Sequence, residues 1–500
     1  MHDAILARRY LAILARLTGI DLLVELWPVL LSIARLAGRF RRSEISPTAM
    51  CEFELVLEGL LRELGRRIVQ WVVNHLEPEA RCEMPPQYFW EGEYYRRGGK
   101  SALRNLNCLF GSIKLRRYIY LPLETCGRCL FPLQLQLGIV AGAATPALAD
   151  FVARGAAGLT QRQLLDQLLV RQVAWSVRRL RKVTQAMAET LSVHRHAAQV
   201  QQVLGWLKQA ADSTGPRRFT LSVGRDGIMI PIVKNQKYKE ACTATVSVLD
   251  RSGHRIGTVY LGQMPEAHQT TLSAELTALL TAVLQGWEGL TPRLVYVTDC
   301  GHHPTEYFLK VLRTMRNPRQ PTELLGWEWI VDYYHACLYL TKLAEVIFGV
   351  GRSASAWAAR QRHVLKERRG GIFRVLRSAG ALLTTRGLVG AEDTYWQAYL
   401  YLRERASKMD YPTYRRHLLP IGSGVTEAAC KIVFTQRFKQ SGMKWSLAGG
   451  SAILALRVIA LSGIWLQVRQ AALDSQSLPI TRTPARSHLP DSENTRKTAA

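Results

Sequence analysis

The sequence predicts a mixed α/β protein, in which a mainly helical region is followed by a mixed β-sheet. Apolar residues recur at helical spacing in residues 3–77 and 146–192, with charged residues on the opposite face. From residue 216 onward, strands in hairpin order are followed by strands that alternate with helices, which is typical of a mixed sheet. Hydrophobic residues make up 48% of the 500 residues, enough to bury the cores of about two to four domains.

The chain is strongly basic, with 66 Lys and Arg residues against 39 Asp and Glu residues and a formal net charge of +27. A charge of this size attracts polyanions over long range. Nucleic acid is therefore the favoured partner, followed by an anionic membrane surface and then by a merely solubilising surface. The charge and the apolar content together exclude an acidic, disordered or collagen-like chain.

The cysteines and the apolar segments bear on the compartment. Nine cysteines, odd in number and scattered, fit no disulfide framework, so we expect a reducing compartment, the cytoplasm. The most apolar stretch, residues 20–37, contains Asp21, Glu25, Pro28 and Arg35. These are too many interruptions for a membrane span, and we expect no membrane partner.

A helical region, residues 1–80, precedes a small β unit, residues 81–135, in which aromatic and β-branched residues alternate around glycines. Cys126 and Cys129 form a CxxC near the end of this unit. Two thiolates on one tight turn can share a tetrahedral metal, so the pair has the spacing of half a zinc site. Two reduced structural thiols are the alternative interpretation.

Residues 136–215 are predicted to be helical and to contain a helix-turn-helix. A helix at 159–168 is followed by a short turn and by a second helix at 172–182. In a helix-turn-helix the second helix enters the major groove of DNA. Two ordinary packed helices with a solvated basic face are an equally good interpretation. The second helix carries the candidate DNA-binding residues Arg178, Arg179, Arg181 and Lys182.

Three aspartates are each predicted to close a short strand in the second half of the chain. Asp226 follows the strand that begins at Phe219, Asp299 follows the strand 293–298, and Asp332 follows the strand 327–331. Carboxylates at adjacent strand ends repel one another and need a cation, and oxygen ligands of this kind suit Mg²⁺ or Mn²⁺. For any one of these residues, an ordinary turn or helix cap is the alternative.

Glu427 and His335 are ambiguous when judged by spacing alone. Glu427 falls in the first turn of a predicted helix, where the helix dipole favours its charge, and a surface ion pair with Lys431 explains it equally well. His335 is either a partner for a carboxylate or phosphate or an ordinary core histidine. Residues 474–500 are polar and aperiodic, and we expect a disordered tail there.

Several segments match one known family. The segments 420–431 (PIGSGVTEAACK) and 436–446 (QRFKQSGMKWS) closely resemble the carboxy-terminal signature of the Kra-type insertion-sequence transposases of bacteria. Residues 332–337 resemble the family's Asp-x-x-His motif, which is shared with Mutator-like transposases, and the segments ending at Asp299 and Asp226 resemble its first two acidic motifs. The resemblance covers residues 80 to about 466.

The resemblance implies a ribonuclease-H-like catalytic domain over residues 216–466, with a helical insertion at about 340–415. It implies an Asp-Asp-Glu triad of Asp226, Asp299 and Glu427 that holds two Mg²⁺ or Mn²⁺ ions. Asp332 and His335 would be an accessory motif. The implied activity is metal-dependent DNA cleavage and strand transfer.

The resemblance also implies partners for the chain. These are the DNA of the element's ends, the target DNA and further copies of the same chain, in the bacterial cytoplasm at the nucleoid. Arg437, Lys439 and Lys444 lie in the matching segments and are expected to contact DNA. The alternatives are a transposase-derived DNA-binding protein that has lost cleavage and a ribonuclease-H-like nuclease.

Overall fold

The computed structural model describes residues 19–100, 104–123, 127–233, 238–385, 393–476 and 481–483. The chain forms two compact units, one made of residues up to Met187 together with the segment from Ala471, and the other of Ala188–Gln470. Among the described residues, no single helix is both long enough and apolar enough to cross a membrane. The pair Leu447–Leu461 and Trp465–Gln476 meets that criterion only jointly and is bent by 117°.

The first unit opens with two helices, α1 (Ile20–Phe40) and α2 (Pro47–Asn74), as the apolar spacing predicts. Helix α2 begins where Ser46 accepts a hydrogen bond from the Ala49 N–H and Pro47 fixes the first backbone angle. The two helices are joined by the Arg67 guanidinium, which donates to the Glu25 carbonyl at 2.9 Å.

Five short strands follow, namely β1 (Gln87–Trp90), β2 (Glu93–Lys100), β3 (Arg104–Cys108), β4 (Gly111–Leu115) and β5 (Tyr118–Pro122). The predicted β unit is therefore present, as a sheet containing β1, β2 and β5 and a separate β3–β4 hairpin. One tail segment differs from expectation. Thr481–Thr483 form strand β13, which pairs antiparallel with β1, whereas residues 484–500 lie outside the described part of the chain.

Three helices and the start of a fourth complete the first unit: α3 (Pro132–Gln136), α4 (Pro146–Gly158), α5 (Gln161–Val170) and α6 (Val177–Asp212), of which the part after Met187 belongs to the second unit. Thr160 and Gln163 cap α5 reciprocally. The predicted start of the next helix at Gln172 is wrong, because Gln172 has a φ of 57° and ends α5 instead. The N–H of Gln172 bonds to the Leu169 carbonyl and that of Val173 to the Leu168 carbonyl, which is a Schellman ending.

A five-stranded mixed sheet is the centre of the second unit, and the predicted mixed α/β class is confirmed. Its strands are β6 (Thr220–Pro231), β7 (Tyr238–Leu249), β8 (Arg255–Gln263), β9 (Arg293–Thr298) and β12 (Trp327–Val331). They lie in the order β12-β9-β6-β7-β8. Strands β6, β7 and β8 are antiparallel neighbours, whereas β9 and β12 extend the sheet in parallel from β6. Strands β10 (Arg316–Asn317) and β11 (Gln320–Leu324) form a separate hairpin.

Helices surround this sheet. After β8 and β9 come α7 (Thr270–Gly286) and α8 (His302–Lys310), and after β12 come α9 (Tyr333–Phe348), α10 (Arg352–Glu367), α11 (Gly371–Thr385), α12 (Asp393–Glu404) and α13 (Tyr411–Arg416). The chain then enters α14 (Gly424–Ala429), a π-helical turn (Cys430–Thr435) and a last helical turn (Gln436–Phe438). Helices α15 (Leu447–Leu461) and α16 (Trp465–Gln476) follow.

One face of the central sheet is apolar and buried. Leu221 and Val223 of β6 alternate with polar neighbours, because successive side chains of a strand point to opposite faces. They belong to the same buried cluster as Leu276 and Leu280 of α7. Full burial of each such leucine contributes about 1.5–3 kcal/mol. The opposite face carries Ser222, Gly224 and Asp226 of β6.

Candidate active site

The three aspartates predicted at strand ends lie in one row across the sheet. Asp299 and Asp332 directly follow β9 and β12, as predicted. Asp226 does not end its strand, because β6 continues in a hairpin with β7, where Asp226 pairs with Thr243. The pairing of β6 with β9 does stop nearby, at Gly224 opposite Val297. Two residues further along both strands, the register places Asp226 beside Asp299.

The same register extends to the third aspartate. Val331 of β12 pairs with Thr298 of β9, so Asp332 stands beside Asp299 one residue further on. The Asp332 N–H donates to the Thr298 carbonyl at 2.9 Å, which continues the ladder to that point. The row is thus a consequence of parallel pairing between β6, β9 and β12.

The helix that carries Glu427 packs on the polar face of β6. Gly224 and Asp226 share that face, since they are two residues apart on a strand. A Cβ atom at Gly224 would lie 2.0 Å from Thr426 Oγ1, so the missing side chain is what permits α14 to approach. Thr426 Oγ1 is also 2.9 Å from Thr245 Oγ1 of β7, and both threonines are buried. Glu427 therefore lies in the first turn of a helix that packs against two strands.

The Asp226 carboxylate accepts a hydrogen bond at each of its oxygens. Cys430 Sγ donates to its Oδ2 at 3.3 Å, and the Gly227 N–H donates to its Oδ1 at 2.8 Å. Burial raises the pKa of Asp226 to about 6, and the charges of Asp299 and Glu427 raise it too, although the two hydrogen bonds oppose this. Burial also raises the pKa of the Cys430 thiol well above its usual range, so the thiol remains a donor. The charges of both other carboxylates thus act on the pKa of Asp226.

Glu427 is exposed in the first turn of α14, and its Oε1 lies 3.3 Å from Ser423 Oγ. Among the described residues no ion pair joins it to Lys431, so the simple ion-pair interpretation finds no support in the structure. In the described residues, the oxygens of Asp226, Asp299 and Glu427 do not all come within 4.8 Å of one another. To bind one shared cation, these three side chains would therefore have to move closer together.

The donor set suits a hard divalent cation in spite of that spacing. All three side chains offer carboxylate oxygens, the ligands that Mg²⁺ and Mn²⁺ prefer. The mutual repulsion that contributes to the raised pKa of Asp226 is the interaction that a cation would relieve. The residues present are thus chemically suited to hold the metal, with Asp226 and Asp299 already adjacent.

Asp332 caps a helix, which is the alternative interpretation of an aspartate at a strand end. Its side chain is fully buried, and its Oδ1 accepts from the N–H groups of Tyr334 at 2.6 Å and His335 at 3.2 Å. Its Oδ2 accepts from the Ser423 N–H at 2.9 Å and from the Ser423 hydroxyl. The carboxylate therefore caps α9 and ties it to the turn before α14, and it contacts the backbone of His335 rather than its imidazole.

His335 is half-buried among aromatic rings. Its ring lies edge-on to Tyr339, with the centroids 5.4 Å apart, and to Tyr401, with the centroids 5.8 Å apart. These contacts are those of a packed histidine. The expected contact between the Asp332 carboxylate and the imidazole of His335 is absent from the hydrogen bonds of the described residues.

The helical insertion contacts the loop after β9, a feature that sequence reasoning did not find. Tyr401 of α12 donates its hydroxyl to the Asp299 carbonyl at 2.7 Å and stacks on Tyr339 at 3.8 Å. The Arg405 guanidinium lies 4.3 Å from the Tyr401 ring and donates to the Cys300 carbonyl at 3.5 Å. Cys300 has a φ of 60°, which is uncommon for a residue with a side chain. The insertion thus holds a strained loop in place.

The expected DNA contacts near the carboxy-terminal signature divide into two kinds. Lys439 and Lys444 are exposed, whereas Arg437 is only 2% exposed and lies 5.1 Å from the Trp445 ring. Burial, with a smaller contribution from the charge of Arg457, lowers the pKa of Arg437 to about 10. The expectation for Arg437 is wrong in this conformation, because a buried guanidinium cannot reach a phosphate.

The first unit has a groove of about 350 Å³ whose lining includes four cationic residues. Arg181, the remaining candidate DNA-binding residue of α6, is exposed but is not part of that lining, and it hydrogen-bonds to Gln161 at 3.2 Å. At the groove, the first turns of α6 meet the start of β3 and the turn at residues 141–143. We call this feature the basic groove and define it by Arg104, Arg178, Arg179 and Lys182.

The structure describes one of the two cysteines of the predicted half zinc site. Cys126 lies outside the described residues, and Cys129 is exposed. Two cysteines precede this pair in the same region: Cys82 is exposed, and Cys108 is buried in an apolar cluster. Burial raises the pKa of the Cys108 thiol, as expected for a reduced structural thiol.

The site consists of carboxylates brought together by strand register and by the packing of one helix. A scan against models of known protein families and a search of the curated proteins both find no match for the chain.

Proposed function

We propose that the protein is a DNA transposase that cleaves and joins phosphodiester bonds at a site formed by Asp226, Asp299 and Glu427. The observation that carries the proposal is the placement of Asp226 and Asp299 side by side on parallel strands, with Glu427 on a helix packed against the same strand. Both other carboxylates raise the pKa of Asp226, which supports a single shared site.

We infer further that the second unit is a ribonuclease-H-like core. The order β12-β9-β6-β7-β8 supports this, because three antiparallel strands extended by two parallel ones are what that fold requires. The four helices α10–α13 between β12 and α14 correspond to the insertion implied by the sequence. The three acidic residues lie on three different elements, which in this proposal converge on the metal site.

The chain's own residues prepare the site for in-line displacement at phosphorus. Two Mg²⁺ or Mn²⁺ ions held by the three carboxylates would stabilise the charge on the attacking and leaving oxygens. Cys430 and the Gly227 N–H orient the Asp226 carboxylate, and the hydrogen bond from the Ser423 N–H to Asp332 holds the turn before the helix that carries Glu427. No serine, tyrosine or cysteine is needed as a nucleophile, since water and then a 3′-hydroxyl attack directly.

The basic groove supports DNA as the substrate class. Four cationic side chains around one concave surface match the charge of a phosphate backbone. They favour contacts that position DNA without reading its sequence. Lys439 and Lys444, which are exposed in the second unit, provide further phosphate contacts in this proposal.

The test is cleavage of a plasmid that carries the DNA flanking the gene, in Mn²⁺, by the full-length protein. Asp226→Asn, Asp299→Asn and Glu427→Gln should each abolish cleavage while leaving DNA affinity nearly unchanged. Glu288→Gln is the matched control, because Glu288 is an exposed carboxylate that precedes β9, at the opposite end of that strand from Asp299. If all three triad variants cleave at the wild-type rate, the proposed site is wrong.

The same assay separates the alternatives. Wild-type protein that binds the flanking DNA without cutting or joining it would indicate a transposase-derived DNA-binding protein. Cutting without preference for the flanking DNA, and without joined products, would indicate a nuclease built on the same core. Joined products that depend on the flanking sequence support the transposase.

A further inference from the structure

A second group of metal-ligating side chains lies at the start of α8, outside the carboxylate row. We propose that His302, His303 and Glu306 bind a transition-metal dication of the Zn²⁺ class. One ligand atom from each residue lies within 4.8 Å of those of the other two. Of the described residues that offer such ligands, these three are the set that meets this spacing.

The donor types select the class of metal. Imidazole nitrogens suit Zn²⁺, Co²⁺, Ni²⁺ and Cu²⁺, whereas Mg²⁺ prefers oxygen ligands throughout. Two histidines and one glutamate form a three-ligand set that leaves a fourth position open in zinc sites. Since Glu306 follows His302 by four residues and His303 by three, helical geometry brings the carboxylate onto the same side as both rings.

The histidines are available for coordination. Nδ1 of His303 is buried and has no hydrogen-bond partner among the described residues. The two rings meet edge to face with centroids 5.2 Å apart, so they converge instead of pointing apart. A buried polar atom without a partner costs free energy, and coordination of that ring would offset this cost.

Lys310 is the competitor for Glu306. Its Nζ lies 2.5 Å from Glu306 Oε1, one helical turn further on. In this structure the Glu306 carboxylate is thus hydrogen-bonded to an ammonium group. A dication must displace the ammonium group, and removing the ammonium should therefore tighten metal binding.

The position of the cluster gives it a consequence for the loop beside it. Helix α8 begins at His302, immediately after the loop in which Cys300 has a positive φ and Gly301 donates to Asp299 Oδ1 at 2.9 Å. A metal that bridges the first two turns of α8 would stabilise the end of this loop. Bound metal should then raise the melting temperature of the folded protein.

The test is titration of the full-length protein with Co²⁺, followed by its visible absorbance, and with Zn²⁺, followed by calorimetry. The background is Asp226→Asn, so that the carboxylate row contributes less to the signal. The variants His302→Gln with His303→Gln, and Glu306→Gln, should weaken binding at least tenfold, since even groups that only support metal ligands contribute 10–100-fold. Lys310→Met should tighten binding about two- to fivefold, the scale of one exposed ion pair.

His254→Gln is the matched control, because His254 is an exposed histidine beside a single carboxylate, Asp250, at 3.7 Å. It should bind Co²⁺ and Zn²⁺ as the background protein does. The proposal is overturned if the histidine and glutamate variants bind both metals unchanged while circular dichroism shows them folded. It is also overturned if the Co²⁺ spectrum shows sulfur ligation, which would assign the metal to cysteines. Neither outcome depends on whether the protein cleaves DNA.

Discussion

Replacement of Gly224 by alanine tests the packing that places Glu427. An added Cβ would lie 2.0 Å from Thr426 Oγ1 and 3.1 Å from Thr426 Cβ, whereas ordinary contact begins at 3.4 Å. The hydroxyl must therefore move by about 1.4 Å, by rotation of the threonine or by displacement of α14. Rotation breaks the buried bond to Thr245 and leaves the Cβ contact too short, so part of the strain falls on the helix.

The cost follows from these distances. Overpacking of a core costs about 1–3 kcal/mol, and loss of one buried hydrogen bond about 1 kcal/mol. We expect Gly224→Ala to lower the free energy of unfolding by about 2–4 kcal/mol. A shift of about 1 Å in a reacting group costs about 100-fold in rate, so single-turnover cleavage should fall by that factor.

The double variant Gly224→Ala with Thr426→Ala removes the clashing hydroxyl and should recover most of the lost rate and stability. Urea unfolding of the two single variants and the double variant then gives a coupling energy between the two sites. Gly205→Ala is the control, because a Cβ there meets no atom within 4 Å. Unchanged stability and cleavage in Gly224→Ala, or a double variant no better than the single one, would refute this account of the packing.

Four further outcomes are expected. Since the pKa of Asp226 is raised from 3.8 to about 6, the folded state binds this proton more tightly than the unfolded chain. The free energy of unfolding should thus fall by about 2 kcal/mol as pH rises from 4 to 7, and urea titrations of Asp226→Asn should lack most of that fall. Asp332→Asn should destabilise the fold by about 3 kcal/mol through its buried hydrogen bonds, and recovery of its cleavage at high Mn²⁺ would contradict the structural role. Tyr401→Phe should slow cleavage about tenfold at nearly constant stability, and an unchanged rate would show that the insertion does not position the loop. Alanine at each α6 cation of the basic groove should reduce the salt slope of DNA binding by about 0.9, measured by anisotropy, and an unchanged slope would remove that residue from the DNA contacts.

The parts of the fold that depend on local sequence were predictable. Strands β9 and β12 have the predicted limits because each is a short buried run that stops at an aspartate. The end of β6 was not predicted, because its last residues are held by the hairpin with β7 and not by burial. Short-range patterns therefore located the row of aspartates but placed Asp226 at an end that the strand does not have.

The contacts that define the site are long-range, and sequence spacing does not predict them. Ser423 reaches Asp332 across 91 positions of the chain, and Cys430 reaches Asp226 across 204. The burial of Arg437 was missed for a related reason. Arginine is rarely buried, and the ring of Trp445 that lies beside it can be recognised only in the folded chain.

The row of aspartates limits how the sequence can change in length. A single residue gained or lost between Thr220 and Asp226, or between Arg293 and Asp299, would turn one carboxylate to the opposite face of the sheet, because side chains alternate along a strand. The helices between β12 and α14 do not alternate between two faces of a sheet, so their lengths can change without turning a carboxylate away from the row. Natural variants of this chain should therefore keep those two strand intervals constant while the insertion varies freely.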